Sequence, residues 1–267
     1  GLGPLGLEAD GVMWSFATDF AREIGVPPVA SPGAVERLRR RKDAEEVAAL
    51  AAAAAAGDAS LADLRRLAQP ATSERELGWA LIDAMRAAGA ESATWEPIVA
   101  AGAGASIPHY RSGRQPIGNG LLLLDYGCVS DGYHSDMSRT VWLHGEPDAE
   151  MRRVYQAVLE SQEAGIAAIA PGVACHAVDE ASRAVLRQYG YEEHFLHSTG
   201  HGVGLEIHEP PWVRRGNDDL LAEGDVVTVE PGVYLPGVGG VRIEDMVVVT
   251  ASGPSVLTHS HKEFQIP

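Results

Sequence analysis

Leu121-Leu-Leu-Leu-Asp125-Tyr-Gly-Cys128-Val-Ser-Asp131-Gly132-Tyr-His-Ser-Asp136-Met-Ser-Arg139-Thr140-Val-Trp-Leu143 reads as two strands joined by a tight turn. Leu121–Tyr126 and Tyr133–Leu143 are apolar runs, and the Asp131-Gly132 dipeptide between them suits a two-residue hairpin turn. Each arm carries an acid, Asp125 after four leucines and Asp136 eleven residues later. An ionised carboxylate in such company is costly unless it is paired or bound to metal. Two acids on paired strands can face each other across a site, although two strand acids turned to water fit the same residues.

A second stretch has the same plan. Val226–Glu230 and Val241–Val249 read as strands, and Gly237-Val238-Gly239-Gly240 turns the chain between them. This hairpin also carries two carboxylates, Glu230 before Pro231-Gly232 and Glu244 in Val241-Arg242-Ile243-Glu244-Asp245. Arg242 and Glu244 lie two residues apart and share one face of a strand, which fits a structural ion pair as well as a binding site. Helices are expected ahead of each hairpin. Asp43-Ala-Glu-Glu46 opens an Ala-rich one, with acids in its first turn. Ser73-Glu-Arg-Glu76 has the form of a capping box ahead of Leu77, Leu81 and Met85. Asp148–Ala168 and His176–Gln188 show helical spacing and end at Pro171-Gly172 and Gly190. Thr94–Ala101 reads as a further strand. The order of helices then strands, repeated once, predicts an α+β fold with an antiparallel sheet and helices segregated to one side.

The chain has 267 residues and a formal charge of −16, which argues against a nucleic-acid partner. No apolar run is long enough to span a membrane, so no membrane association is expected. The two cysteines, Cys128 and Cys175, build no disulfide framework and read as reduced thiols in a cytoplasmic protein. Gly11–Ile24 is a short amphipathic piece. The basic run Arg37-Leu-Arg-Arg-Arg-Lys42 reads as a solvated helix face or linker.

His197-Ser-Thr-Gly-His201-Gly-Val-Gly-Leu-Glu-Ile-His208-Glu-Pro-Pro211 is the most specific segment. It holds three histidines within twelve residues, with glycines between them that permit close backbone approach. A lone histidine is usually structural, but three on one glycine-rich stretch point to function.

Together these segments resemble the pita-bread metallopeptidases, family M24, which includes methionine aminopeptidase, aminopeptidase P and prolidase. The resemblance spans residues 37–267, nearly the whole chain. It implies a curved antiparallel sheet with helices on its outer face, arranged as two pseudo-twofold halves. Residues 37–267 would be the catalytic domain, and residues 1–36 a remnant of an N-terminal domain with its linker. It also implies two divalent metal ions held by Asp125, Asp136, His201, Glu230 and Glu244, with Asp136 and Glu244 bridging. His109, in Ser106-Ile-Pro-His109-Tyr110, resembles an upstream substrate-site histidine. His208 resembles the histidine that contacts the scissile carbonyl, and His197 one on the leaving-group side. Arg242 resembles an arginine near the metals.

Gly202–Pro211 is more similar to Xaa-Pro peptidases than to methionine aminopeptidases. The implied activity is hydrolysis of the Xaa-Pro bond at the N-terminus of dipeptides or short peptides by a metal-bridging hydroxide. Glu230, His208 and His109 would be catalytic. His197, His109, His208 and Arg242 would bind substrate. An oxygen-rich donor set with one imidazole suits manganese, with cobalt or zinc as alternatives. Two other readings are methionine aminopeptidase and a catalytically silent peptide-binding module on the same fold. The five intact ligand positions argue against the second. A homodimer is compatible with the family.

Overall fold

The computed structural model describes residues 5–62 and 64–266. Its centre is the run of four leucines, whose side chains alternate between two cores. Leu122 and Leu124 pack with Ala53 and Ala56 of the helix Ala44–Ser60 and with Leu77, Leu81 and Met85 of the helix Glu74–Ala87. Leu121 and Leu123 pack with Val154 and Val158 of the helix Ala149–Ala167 and with Val233 and Val241. The run is apolar throughout because the strand Gly120–Tyr126 is covered on both faces.

That strand pairs antiparallel with Ile98–Ala101 on one side and Met137–Leu143 on the other, so Asp125 lies opposite both Ile98 and Ser138. Gln265–Ile266 adds to the outer edge of Met137–Leu143. The second half is a five-stranded antiparallel sheet in the order Glu209–Val213, Gly200–Gly202, Val226–Val229, Asp245–Thr250, Gly253–Val256. The helix Cys175–Tyr189 lies beside Ala149–Ala167, and its Cys175 and Val178 pack with Val227, Val229, Val247 and Val249. The α+β order of elements is as expected.

Both hairpins change sheets part-way along, and here the structure departs from the uninterrupted strands expected. In the first hairpin the chain leaves its four-stranded sheet at Gly127, runs through Cys128–Ser130, turns and returns through Tyr133–His134. It then breaks at Ser135-Asp136 before Met137–Leu143. The turn residues Asp131 and Gly132 have φ of 48° and 76°, the left-handed pair that a tight hairpin needs. In the second hairpin Val226–Val229 breaks at Glu230-Pro231 into Gly232–Leu235. The return arm Gly239–Arg242 breaks at Ile243-Glu244 into Asp245–Thr250. At Gly127 the two arms come so close that a Cβ would lie 1.8 Å from the Ser135 carbonyl oxygen, so only glycine fits. Thr94–Ala101 is strand only over Ile98–Ala101. Ser92–Ala93 belongs to another sheet, and Pro97 between them has no amide to donate.

The expected capping box forms at Ser73 with Glu76, and a second one forms at Asp43 with Glu46, where only first-turn acids were expected. Only part of the basic run is a solvated face: Arg37, Leu38 and Arg41 are exposed, while the other three residues turn onto the protein. Arg40 makes a two-pronged contact with Asp225 at 2.8 and 2.7 Å, and Lys42 is buried. Ahead of it, the helix Trp14–Ile24 buries none of its residues. Among the described residues no helix is long and apolar enough to cross a membrane.

Candidate metal centre

The four sheet-changing bends converge, and each brings an acid to the same point. Asp125 lies in the ladder two residues before the bend at Gly127, Asp136 lies in the first break, and Glu230 and Glu244 lie in the breaks of the second hairpin. A residue in such a break leaves the ladder, so its side chain is free to turn inward. Single donor atoms of Asp125, Asp136 and Glu244 lie within 4.8 Å of one another, as do those of His201, Glu230 and Glu244, and of Asp136, His201 and His208. Each of these trios can hold a metal ion, and Glu244 is common to the first two.

His201 sits on the short strand Gly200–Gly202, and its tautomer follows from its contacts. Nδ1 lies 3.0 Å from the Gly202 carbonyl oxygen, which can only accept, so Nδ1 carries the proton. The lone pair is therefore on Nε2, 3.5 Å from Asp136 Oδ2 and 3.5 Å from Glu230 Oε1. A backbone carbonyl that fixes the far nitrogen is the usual support for a metal-binding histidine.

Four carboxylates meet one cation here. Arg242 is buried, and its donors are turned on protein groups: Nη2 to Asp125 Oδ2 at 2.5 Å, Nε to Ser138 Oγ at 2.9 Å, and Nη1 to Tyr234 Oη at 2.7 Å. Ser138 Oγ in turn donates to Glu244 Oε2 at 2.7 Å. Burial, then the charges of Asp125 and Glu230, hold Asp136 well above the ordinary carboxylate range. Burial, then Asp136 and Asp125, do the same to Glu244. Burial and Glu244 push Glu230 up to about 8. The cage lacks positive charge, and two divalent cations would supply four charges against four carboxylates. The donor set thus fits such ions.

A hydrogen-bonded line runs from the cage to His197. Its Nδ1 donates to the Ser198 carbonyl at 2.9 Å, so Nε2 accepts from the Tyr234 hydroxyl at 2.7 Å, and the Tyr234 oxygen accepts from Arg242. Burial and Arg242 push the His197 imidazole down to about 3, so it stays neutral. His208 is exposed, with its ring edge-on to His201 at 4.3 Å. Burial of its inner side and the His201 ring lower its affinity for a proton.

The cage is the floor of a half-open cleft of about 460 Å³. Trp95, Ile98, Pro108 and Trp212 line it, together with His109, His197 and His208. Every residue singled out from the sequence is present in this one cleft. Tyr234, Ser138, Trp95 and Trp212 were not singled out. Tyr234 and Ser138 read as ordinary strand residues, and no local pattern marks a tryptophan that will face a cavity.

A cleft whose floor gathers four carboxylates and an imidazole lone pair has the donor set of a metal-dependent hydrolase. The chain belongs to metallopeptidase family M24, whose pattern matches residues 48–251. It is 38% identical over 270 aligned residues to an uncharacterized peptidase, YqhT, of Bacillus subtilis, covering 100% of this chain and 76% of the relative. Its structure is similar to that of an Xaa-Pro dipeptidase from Bacillus anthracis, with a TM-score of 0.95 and 38% identity over 98% of this chain and 74% of the other. It is also similar to an X-Pro aminopeptidase from Thermotoga maritima, with a TM-score of 0.92 and 32% identity over 99% of this chain and 76% of the other.

Proposed function

We propose that this chain is a metal-dependent exopeptidase that cleaves the Xaa-Pro bond at the N-terminus of dipeptides or short peptides. The observation that carries the reading is the convergence of Asp125, Asp136, His201, Glu230 and Glu244 on the floor of one half-open cleft. The likeness to an Xaa-Pro dipeptidase and an X-Pro aminopeptidase supports the substrate class. It also counts against a methionine aminopeptidase, and the complete donor set counts against a silent binding module.

Asp125, Asp136 and Glu244 would hold one ion, and His201, Glu230 and Glu244 the other, with Asp136 within reach of both. The oxygen-rich set favours manganese. When bound, the ions would lower the pKa of a water and polarise the scissile carbonyl. The chain's own residues do the rest. Glu230 takes the proton from the attacking water and returns it to the leaving proline nitrogen. His208, neutral and at the cleft wall, donates to the oxygen of the carbonyl under attack. His109 and His197, with Trp95, Ile98 and Trp212, wall the space for the side chain and the proline ring. Arg242, whose Nη2 donates to Asp125, lines the cleft and would meet the substrate from there.

Residues 37–267 would form the catalytic unit, with residues 1–36 a remnant of an N-terminal domain and its linker. The two buried free thiols favour a reducing, cytoplasmic setting, and a homodimer is compatible with the family. The test is metal analysis of the purified protein followed by assays in manganese on Ala-Pro, Gly-Pro, Ala-Pro-Ala and Met-Ala. Bound metal and cleavage of Ala-Pro are expected, whereas cleavage of Met-Ala alone would overturn the reading. Loss of activity on the tripeptide would mark a dipeptidase.

A further inference from the structure

The basic run ahead of the helix Ala44–Ser60 reaches the loop that carries His208. Lys42 and Glu209 are both buried, with Lys42 Nζ 2.6 Å from Glu209 Oε1. Arg39 grips the same loop from a second direction: Nη2 donates to Glu209 Oε2 at 2.6 Å, and Nη1 lies 3.3 Å from Glu206 Oε1. The two acids that Arg39 spans bracket His208 in the chain. Gly204 lies under the Glu209 carboxylate, so close that a Cβ there would sit 2.6 Å from Oε1. The stem of the loop is thus closed by one carboxylate between two cations, while Leu205, Glu206 and His208 at its tip are exposed. Ile207 is its apolar anchor, packed with the Leu50 and Val203 cluster.

This inference rests on the reading that His208 meets the substrate carbonyl. We propose that Arg39 and Lys42 are positioning residues for His208, acting through Glu209. A buried carboxylate between two cations resists displacement, because any shift leaves buried charge unpaired. An exposed imidazole has few contacts of its own to set its place, so its backbone must be held from the stem. A misplacement of about 1 Å at a group facing the reacting atoms can lower the rate by roughly a hundredfold. The basic run at the start of the catalytic unit thereby sets the geometry of the cleft wall.

Arg39→Gln tests one cation. The pair Lys42→Met with Glu209→Gln removes the carboxylate that both cations grip, together with its fully buried partner, so that no buried lysine or glutamate is left alone. The first measurement is amide hydrogen exchange of the metal-free protein, read by mass spectrometry, and it needs no activity. Exchange across residues 203–209 is expected to speed up by roughly tenfold or more, while exchange in Val226–Val229 stays as in the wild type. The second measurement is Ala-Pro hydrolysis by the same variants, by His208→Ala and by their combinations. Each clamp variant is expected to lower kcat by about tenfold or more with KM changed by no more than about threefold, and to add less than about twofold once His208 is gone. Unchanged exchange at residues 203–209, or losses that multiply in full in the His208→Ala background, would overturn the proposal. Should wild type and variants alike leave Ala-Pro intact, the functional reading fails alone, and the exchange measurement still decides the clamp.

Discussion

Glu244 and Asp245 are consecutive and both buried, yet their carboxyls are driven in opposite directions. Glu244 faces the cage, where burial, Asp136 and Asp125 push it well up. Asp245 faces away from it. Burial opposes its charge, but Arg139 and Lys262 outweigh burial and hold it below its ordinary value. Asp245 Oδ1 accepts from Arg139 at 2.8 Å and from Thr258 at 2.7 Å, and Oδ2 accepts from Gln162 at 2.8 Å and from Lys262. The chain leaves the ladder at Ile243-Glu244 and rejoins it at Asp245, so one residue step separates an acid short of cations from one supplied with two. Burial alone therefore does not distinguish a metal ligand from a structural acid. The supply of counter-charge does, since a saturated carboxylate has nothing left to offer an ion.

This contrast can be broken in several ways. The largest effect is expected at Glu230. Glu230→Ala should lower kcat/KM for Ala-Pro by about a thousandfold, the scale of a lost proton carrier, in a steady-state assay with manganese. Near-normal turnover would remove it from the chemistry. Next comes stability. Asp245→Asn should destabilise the fold by about 3–5 kcal/mol in urea titration, because it strands buried Arg139 and half-buried Lys262. Glu244→Gln in metal-free protein should be no less stable than wild type, because it relieves like-charge repulsion. Equal losses in the two variants would erase the distinction.

Added manganese should sharpen it. At a free concentration of about a hundred times Kd, stabilisation of about 2.7 kcal/mol is expected as a rise in Tm. Glu244→Gln should abolish that rise. The pH dependence should separate another cage acid, Glu230, from Asp245 as well. Glu230 titrates at about 8 in the metal-free fold against an ordinary 4.5, so the folded state holds its proton more tightly than the unfolded chain. Its stabilising contribution is complete below the ordinary value and is lost as pH rises toward 8. Asp245 has the opposite sign, with its contribution present above the ordinary 3.8 and lost as pH falls. Urea midpoints of metal-free protein should therefore decline from pH 5 to 8, and less steeply in Glu230→Gln. The smallest effect lies outside the contrast. Burial raises Cys175 to about 11 and also raises Cys128, so neither thiol should be alkylated in the native protein at pH 8.

Much of this architecture is legible in the chain. Asp131-Gly132 marks the first hairpin, Asp43 and Ser73 announce their helices, and three glycines, Gly200, Gly202 and Gly204, stand among His197, His201 and His208. These are local signals, carried by residues within a turn or two of one another. The five cage donors also stand out, because acids in apolar runs and clustered histidines are costly to bury without a reason. What the sequence by itself determined is thus the order of the elements, the family and the set of donor residues.

The tertiary structure alone decided how those donors are used. It breaks two long strands at Asp136 and Glu244, turns Glu244 inward and Asp245 outward, and places the free lone pair of His201 on Nε2. It brings Arg242 onto Asp125 across 117 residues, and Lys42 onto Glu209 across 167. It also draws in Tyr234 and Trp95, which look ordinary in the chain. The reason is physical. Propensity and periodicity act between near neighbours, whereas burial, charge pairing and the choice of tautomer depend on groups that meet only after the two halves have closed on each other.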